Sequence, residues 1–114
     1  MDKQFSLIMT IVDRGCSDDV MACAKEQGAR GGTIIYGRGT GAEEAVKFFN
    51  ITIQEEKEVV MIVCPEEQRQ NIMTTIVTKA GLNSPCHGIT FSLPIEDVRG
   101  IKWVADEKEI EEKK

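Results

Sequence analysis

Residues 5–12 read FSLIMTIV, an apolar run rich in branched side chains, and it defines the first half of the fold. Such a run predicts a strand. Ser17 then stands at a helix N-cap position, with acidic residues after it, and Gly28 stands where a helix commonly ends. The run TIIY at residues 33–36 predicts a second strand. Residues 5–37 therefore form one predicted β-α-β unit.

A loose copy of this pattern occupies residues 59–93. Its strand is strongest at EVVMIV, residues 58–63, and Pro65 suits the first position of the helix that follows. Apolar residues recur in that helix at i, i+4 spacing until Gly81, and GITFSL at residues 88–93 predicts the closing strand. Two such units predict an α+β, ferredoxin-like fold (βαββαβ), in which two helices cover one face of a four-stranded antiparallel sheet.

Both faces of the predicted sheet are apolar. The residues of strand one alternate between two sets: Ser6, Ile8, Thr10 and Val12 on one face, and Phe5, Leu7, Met9 and Ile11 on the other. Strand three is apolar on both faces as well. Since two helices cover only one face, the other is an apolar patch of the size that marks an interface. We therefore expect an oligomer with sheets packed against one another.

The length of 114 residues fits a single domain. We expect residues 1–105 to form this domain and residues 106–114 to form a charged C-terminal tail. Residues 37–57 are predicted to be an inserted loop, with a short helix at about residues 42–49. The N-terminus lacks the features of a signal peptide, and no apolar run approaches the roughly 18 residues that span a bilayer. The prediction is a cytoplasmic protein without direct membrane insertion.

The charge of the chain argues against a nucleic-acid partner. Fourteen basic residues stand against 19 acidic ones, so the net charge is −5. Such a balance disfavours non-specific attraction to nucleic acid or anionic lipid. The strands also lack the clustered aromatic side chains that stack on RNA bases. We therefore expect no nucleic-acid binding.

The spacing of the four cysteines does not indicate a disulfide scaffold. Cys16, Cys23, Cys64 and Cys86 form no C-x-x-C pair, and secreted disulfide scaffolds are shorter and denser in cysteine. We therefore expect reduced thiols, with Cys23 in the core. Cys86 and His87 are adjacent soft ligands that could bind a metal. Zinc sites show regular ligand spacing, which this pair lacks. We therefore interpret Cys86 as a loop thiol beside a polar histidine and expect no metal site.

The most unusual segment is rich in glycine. Gly37, Gly39 and Gly41 follow a strand and precede a short predicted helix, so their unobstructed backbone amides could bind a phosphate. Arg38 adds a cation beside them. The spacing is G-x-G-x-G, which differs from the G-x-G-x-x-G of dinucleotide-binding folds. Glycines that only permit a flexible exit from the strand remain an alternative.

Residues suited to catalysis are sparse. The chain has one histidine, His87, and no serine flanked as in a nucleophile elbow. Glu43 and Glu44 are adjacent, so on a helix they point about 100° apart and do not converge as an acid–base pair. The sequence therefore predicts a protein that is not an enzyme and has no catalytic residues.

Three stretches resemble the PII signalling proteins, a nitrogen regulatory family. They are ARGGTIIYGRGTG at residues 29–41, the run at residues 57–80, and GITFSLPIEDV at residues 88–98. The resemblance covers roughly residues 5–104. It implies a homotrimer of ferredoxin-like subunits that binds ATP or ADP in clefts between subunits. It also implies a long loop after strand two that binds client transporters, enzymes or regulators.

Carried over onto this chain, the resemblance assigns nucleotide contacts to two glycine-containing loops and to basic residues near the C-terminus. The assigned residues are Thr33, Gly37, Arg38, Gly39, Thr40, Gly41, Cys86, His87, Gly88, Ile89, Arg99 and Lys102. No tightly bound cofactor is implied. ATP, ADP or AMP would act as an effector that binds and dissociates.

The chain also departs from the family. Cys86 and Ile89 stand where typical members have a glycine and a lysine, and Gly100 and Lys102 stand where they have two arginines. Since lysine lacks the bidentate fork of arginine, phosphate charge is less well compensated. We therefore expect a divergent PII-like regulator that binds ADP or AMP at least as well as ATP, or another small metabolite, and acts in nitrogen or related metabolism. The alternative is a ferredoxin-like small-molecule- or metal-binding module, or a weak hydrolase, without a client protein.

Overall fold

The computed structural model describes residues 4–39, 55–82 and 86–100. Six elements follow one another in these ranges. They are β1 (Phe5–Asp13), α1 (Ser17–Glu26), β2 (Thr33–Gly39), β3 (Glu55–Pro65), α2 (Glu66–Lys79) and β4 (Gly88–Ile95). The strands form one sheet in the order β2-β3-β1-β4, and every neighbouring pair is antiparallel. The α+β, ferredoxin-like fold expected from the sequence is confirmed.

The core lies between the helices and one face of the sheet. Ile8 on β1 and Ile62 on β3 are opposite each other in register and fully buried. They belong to one cluster of buried side chains with Val20 of α1 and with Ile72 and Ile76 of α2. Burial of each such side chain stabilises the fold by about 1.5–3 kcal/mol. This cluster fixes both helices on the same face.

The opposite face of the sheet, here called the uncovered face, is apolar and accessible within the subunit. Four strands contribute one row across it: Ile35 of β2, Val59 of β3, Ile11 of β1 and Ile89 of β4 are successive partners in register. Ile35 and Ile89 are 48% and 59% exposed. The apolar second face predicted from strand one is therefore present, and it extends to the edge strands.

Both helices end as the sequence predicts. α1 ends at Glu26, with Gln27 as its C-cap, and Gly28 follows at a φ of +103°. α2 ends at Lys79, with Ala80 as its C-cap, and Gly81 follows at a φ of +70°. A left-handed residue after the C-cap is inexpensive only for glycine, which lacks a Cβ. The two glycines therefore terminate the helices sterically.

The helix starts differ from the prediction. Cys16 takes the N-cap position of α1 without a capping hydrogen bond from its side chain, and Ser17 is the first helical residue. Pro65 is the N-cap of α2 and still belongs to β3, one position before the predicted one. β3 runs directly into the start of α2 and lies against the start of α1. Contacts with the rest of the fold therefore take the place of local capping at both helices.

The strands around the predicted insertion are longer than expected. β2 continues through Gly37 and Arg38 to Gly39, which pairs with Glu55 of β3. Hydrogen-bonding partners on β3 let these residues stay extended although two of them are glycines. The predicted helix at residues 42–49 and the tail at residues 106–114 lie outside the described residues.

Candidate ligand-binding site

A cavity of about 550 Å³ opens where the β2–β3 ladder meets the turn between β1 and α1. It is lined by Arg14, Gly15, Tyr36, Gly37, Arg38, Glu56, Lys57 and Glu58. β1 ends at Asp13, opposite Lys57, while β2 and β3 continue beyond that point. The turn therefore folds beside the protruding ladder, and the space between them is the cavity.

Gly37 leaves the cavity open on the strand side. A Cβ added there would meet no heavy atom within 4 Å, so the missing side chain leaves room for a ligand. At Gly39 the situation differs, because a Cβ would lie 3.0 Å from the side chain of Lys57. Gly37 therefore borders open space, whereas Gly39 leaves room for the side chain of Lys57.

Two cations of the cavity, Arg14 and Lys57, are paired with carboxylates. Arg14 forms an ion pair with Glu56, and both side chains are exposed. The Nζ of Lys57 lies 2.5 Å from a carboxylate oxygen of Asp13 and 3.1 Å from one of Glu55. The hydrogen bond with Asp13 is the main reason why the pKa of Lys57 is raised, although burial opposes this shift. The lysine therefore stays charged, but its charge is compensated within the chain.

Glu58 forms the floor of the cavity beside the start of α1. Its carboxylate accepts hydrogen bonds from the backbone N–H groups of Gly15 at 2.7 Å and Ser17 at 3.1 Å. Burial by itself would raise the pKa of Glu58, but the backbone donors of residues 15–17 and the Ser17 hydroxyl together outweigh it and lower the pKa. A carboxylate from a neighbouring strand thus satisfies amides at the N-terminus of α1. Ser17, the N-cap residue predicted from the sequence, is not the acceptor for these amides.

The second predicted loop is held against β1. The backbone N–H of Asp13 donates to the carbonyl of Cys86 at 3.2 Å, and Gly88 pairs with Val12. A Cβ on Gly88 would lie 2.2 Å from the carbonyl oxygen of Ile11, so only glycine fits. His87 is exposed and is the one described non-glycine residue with a positive φ, +28°. The loop is therefore tightly constrained on both sides of His87.

The structure brings some predicted site residues together and separates others. Gly37 and Arg38 line the cavity, whereas Cys86 lies on the far side of β1, about three strand spacings or 14 Å from Gly37. Thr33 begins β2 four residues before Gly37, facing the same side of the sheet as Ile89. Within one subunit, the two loops therefore border different surfaces.

The remaining predicted residues lie away from the cavity or outside the described ranges. Arg99 is exposed, with its guanidinium 3.8 Å from the carboxylate of Asp97. Thr40, Gly41 and Lys102 lie outside the described residues. Their assignment to a nucleotide site stays a prediction.

The cysteine prediction is wrong for two of the four residues. Cys16 and Cys86 form a disulfide bond between positions 70 residues apart. Cys23 and Cys64 are free thiols buried in the core, as expected for Cys23. Sequence spacing missed the bond because the turn before α1 and the loop before β4 meet only after β1 and β4 pair. In the disulfide, the sulfur of Cys86 is not a metal ligand, and no group of three or more histidine, cysteine or acidic residues could hold a metal within the described ranges.

Several cavity residues were missed by sequence reasoning. Arg14, Tyr36, Lys57 and Glu58 lie in separate segments, and only the β2–β3 register and the β1–α1 turn bring them together. The available signal was the run EEKE at residues 55–58, directly before the apolar part of β3.

The described residues form a small protein of the ferredoxin-like fold class with one rim of the sheet open to a ligand. The family profile of nitrogen regulatory protein P-II matches residues 5–103. The chain belongs to the P-II family. No curated protein sequence matches it significantly.

Solved structures of PII and PII-like proteins are similar to this chain. Arabidopsis thaliana PII, determined with bound citrate, is 25% identical; the match covers 85% of this chain and 80% of that chain, with a TM-score of 0.61. CPII, a nitrogen regulatory PII-like protein from Thiomonas intermedia bound to ADP, AMP and bicarbonate, is 15% identical over 86% of this chain and 97% of that chain, with a TM-score of 0.64. The second likeness is one of fold. Among the described residues, no helix has the length and apolar character needed to cross a membrane.

Proposed function

We propose that this protein is a PII-type signalling regulator that binds an adenine nucleotide and controls a client protein through residues 37–57. Membership of the P-II family supports the regulatory role. The observation that carries the binding site is the cavity beside Gly37, which has open space, two arginines and a lysine. The PII-like neighbour with bound ADP and AMP supports the choice of ligand. No catalytic activity is part of the proposal.

The charges around the cavity favour nucleotides with fewer phosphates. Arg14, Arg38 and Lys57 line it together with Glu56 and Glu58, so the lining carries nearly as many negative as positive charges. Each further phosphate adds negative charge that these paired cations compensate poorly. ADP or AMP should therefore bind at least as tightly as ATP.

The proposed regulator is a homotrimer in which the uncovered faces are buried. Phe91 and Leu93 of β4 are 37% and 46% exposed in the subunit, on the same face as Ile89. Apolar side chains in one contiguous patch are typical of an oligomer interface. In this proposal the nucleotide clefts lie between the assembled subunits.

Isothermal titration calorimetry with ATP, ADP and AMP tests the proposal. Binding of ADP or AMP with affinity equal to or above that of ATP supports it. A clear preference for ATP contradicts the charge argument, and no binding of any of the three contradicts the nucleotide site. Native mass spectrometry of the same sample measures the oligomer mass and any retained ligand.

A further inference from the structure

The disulfide between Cys16 and Cys86 lies beside the cavity and outside the main core. Cys16 precedes the first residue of α1, and Cys86 is two residues before β4. Their Cα atoms are 6.0 Å apart, so the bond fits the backbone positions directly. Neither residue belongs to the hydrophobic cluster of Ile8, Ile62 and their neighbours, although Cys16 packs against it.

The elements that the bond joins are also held without it. β4 pairs with β1 along eight positions, from Gly88 to Ile95. α1 is held by buried Val20 and Ala24 and by the carboxylate of Glu58 at its start. These contacts do not depend on the bond, so we expect the subunit to stay folded when it is reduced. The effect of reduction would be confined to the two short segments that the bond connects.

The turn before α1 borders the proposed ligand site directly, and the loop before β4 is linked to it through β1. Gly15 and Ser17 flank Cys16, and their N–H groups donate to Glu58 on the floor of the cavity. On the other side, the carbonyl of Cys86 accepts from the N–H of Asp13, whose carboxylate binds Lys57. A change at the bond therefore reaches Glu58 through one hydrogen bond and Lys57 through two, by way of Asp13.

The loop after Cys86 is in a conformation that a free chain would not favour. His87 has a φ of +28°, which is uncommon for a residue with a Cβ. Gly88 is packed against the carbonyl of Ile11 and cannot move toward β1. The disulfide holds the start of this loop, so breaking it gives His87 a route to relax. The disulfide therefore adds a covalent restraint to a loop whose backbone also donates hydrogen bonds to the carbonyls of Gly81 and Leu82.

We propose that Cys16 and Cys86 form a reversible thiol–disulfide pair whose oxidation state controls the turn before α1 and the loop before β4. The binding consequence rests on the proposed function, whereas the redox pairing does not. The remaining cysteines do not compete, because Cys23 and Cys64 are buried in the core. The co-reactant is a low-molecular-weight thiol, such as glutathione, and its disulfide.

The exchange balances with two such thiols. A glutathione thiolate attacks the sulfur of Cys16, the more exposed partner; the protein S–S bond breaks, and Cys86 leaves as a thiolate that takes up a proton. A second glutathione thiolate attacks the glutathione sulfur of this mixed disulfide. Glutathione disulfide forms, and Cys16 leaves as a thiolate at the N-terminus of α1, where the helix dipole favours it, before it too is protonated. Two electrons pass from glutathione to the protein.

The first test equilibrates the intact protein in buffers of varied reduced-to-oxidised glutathione ratio, followed by acid quenching, denaturation and maleimide labelling. Mass spectrometry should count two labels per chain under oxidising conditions and four under reducing conditions. Peptide mapping should place the two additional labels on Cys16 and Cys86. A bond that never forms, or one that persists at every glutathione ratio, would overturn the proposal.

The second test measures amide hydrogen exchange in both redox states. Reduction should accelerate exchange at Cys86 and Gly88 by roughly tenfold, while the buried centre of β1 is unchanged. The C16S/C86S variant should show the fast rates in both states, and C23A should respond like the native chain. Equal rates in the two states would sink the switch.

Calorimetry with ADP on both forms separates this inference from the proposed function. A severalfold difference in affinity between oxidised and reduced protein supports the coupling. Equal affinity would overturn the coupling while leaving a nucleotide site. Absence of binding in both forms, together with a reversible bond and changed exchange rates, would refute the nucleotide function but keep the redox pair.

Discussion

A carboxylate oxygen of Glu58 lies 2.7 Å from the backbone nitrogen of Gly15, so a strand residue binds the turn that leads into α1. The same carboxylate accepts from the N–H of Ser17 at 3.1 Å. Glu58 is only 5% exposed, and these amides make its buried charge tolerable. One side chain therefore sets the start of a helix and the floor of the cavity.

Replacing Glu58 by glutamine should weaken stability and change its dependence on pH. The folded-state pKa of Glu58 is lowered, so its contribution is complete above the unfolded pKa of about 4.5 and is lost as the pH falls through the lower, folded value. E58Q should be destabilised by about 1–3 kcal/mol at neutral pH. Urea unfolding between pH 3 and 7 measures both effects.

The control for this experiment is Glu96→Gln, at an exposed position after β4. Glu66 also has a lowered pKa, because Ser6 and Arg69 donate to it, so native protein and E58Q will both retain some acid sensitivity. The difference between their pH profiles isolates Glu58. Identical slopes for the two proteins would contradict the assigned function of this carboxylate.

Substituting Gly37 by valine should block the cavity without disturbing the fold. A Cβ there meets nothing within 4 Å, so the new side chain occupies the space reserved for the ligand. ADP affinity should fall roughly tenfold or more, which corresponds to about 1.4 kcal/mol. Gly31→Val is a matched control, since a Cβ at Gly31 also meets nothing within 4 Å. Equal affinity for G37V and G31V would place the ligand elsewhere.

Replacing Phe91 by aspartate should dissociate the proposed trimer. Phe91 lies in the centre of β4 on the uncovered face, opposite Met9. A charge there has to be desolvated in the interface, whereas in a lone subunit it faces water. Analytical ultracentrifugation should show a monomer for F91D and the native mass for Asn71→Asp, an exposed position on α2. A native protein that is already monomeric would refute the trimer.

The hydroxyl groups of Thr10 and Thr90 should be coupled. They lie 2.9 Å apart between β1 and β4, and Thr10 is fully buried. Either single substitution by valine leaves one hydroxyl without its partner and should cost about 1–3 kcal/mol, whereas the double variant should cost less than the sum. Chemical unfolding of the four proteins in this cycle measures the coupling. Additive losses would show that the hydrogen bond contributes nothing.

Residues 42–53 should exchange their amides more slowly when nucleotide is bound. The helix predicted from the sequence at residues 42–49, outside the described residues, would be about eight residues long and marginal by itself in water, so we expect an outside contact to stabilise it. Mass spectrometry of hydrogen exchange with and without ADP tests this expectation, with the peptide covering β1 as an internal reference. Strong protection that ADP does not change would indicate a helix docked permanently on its own subunit.

Local signals in the sequence determined the order of the elements and the position of the helix ends. The alternation along β1 and the glycines at 28 and 81 act within a few residues, through side-chain direction and backbone sterics. The same local patterns predicted the apolar uncovered face and carried the resemblance to the PII proteins. These features do not depend on which distant segments meet.

Tertiary structure alone decided the contacts across the chain. Cys16 and Cys86 pair across 70 residues, and Asp13 and Lys57 pair across 44. Glu58 caps α1 by accepting from amides that are 43 and 41 residues away. Nothing near any of these residues in the sequence indicates its partner. The partners follow from the register of the strands. Burial of a whole face of the sheet sets that register, because a shift of one residue would turn every core side chain toward water.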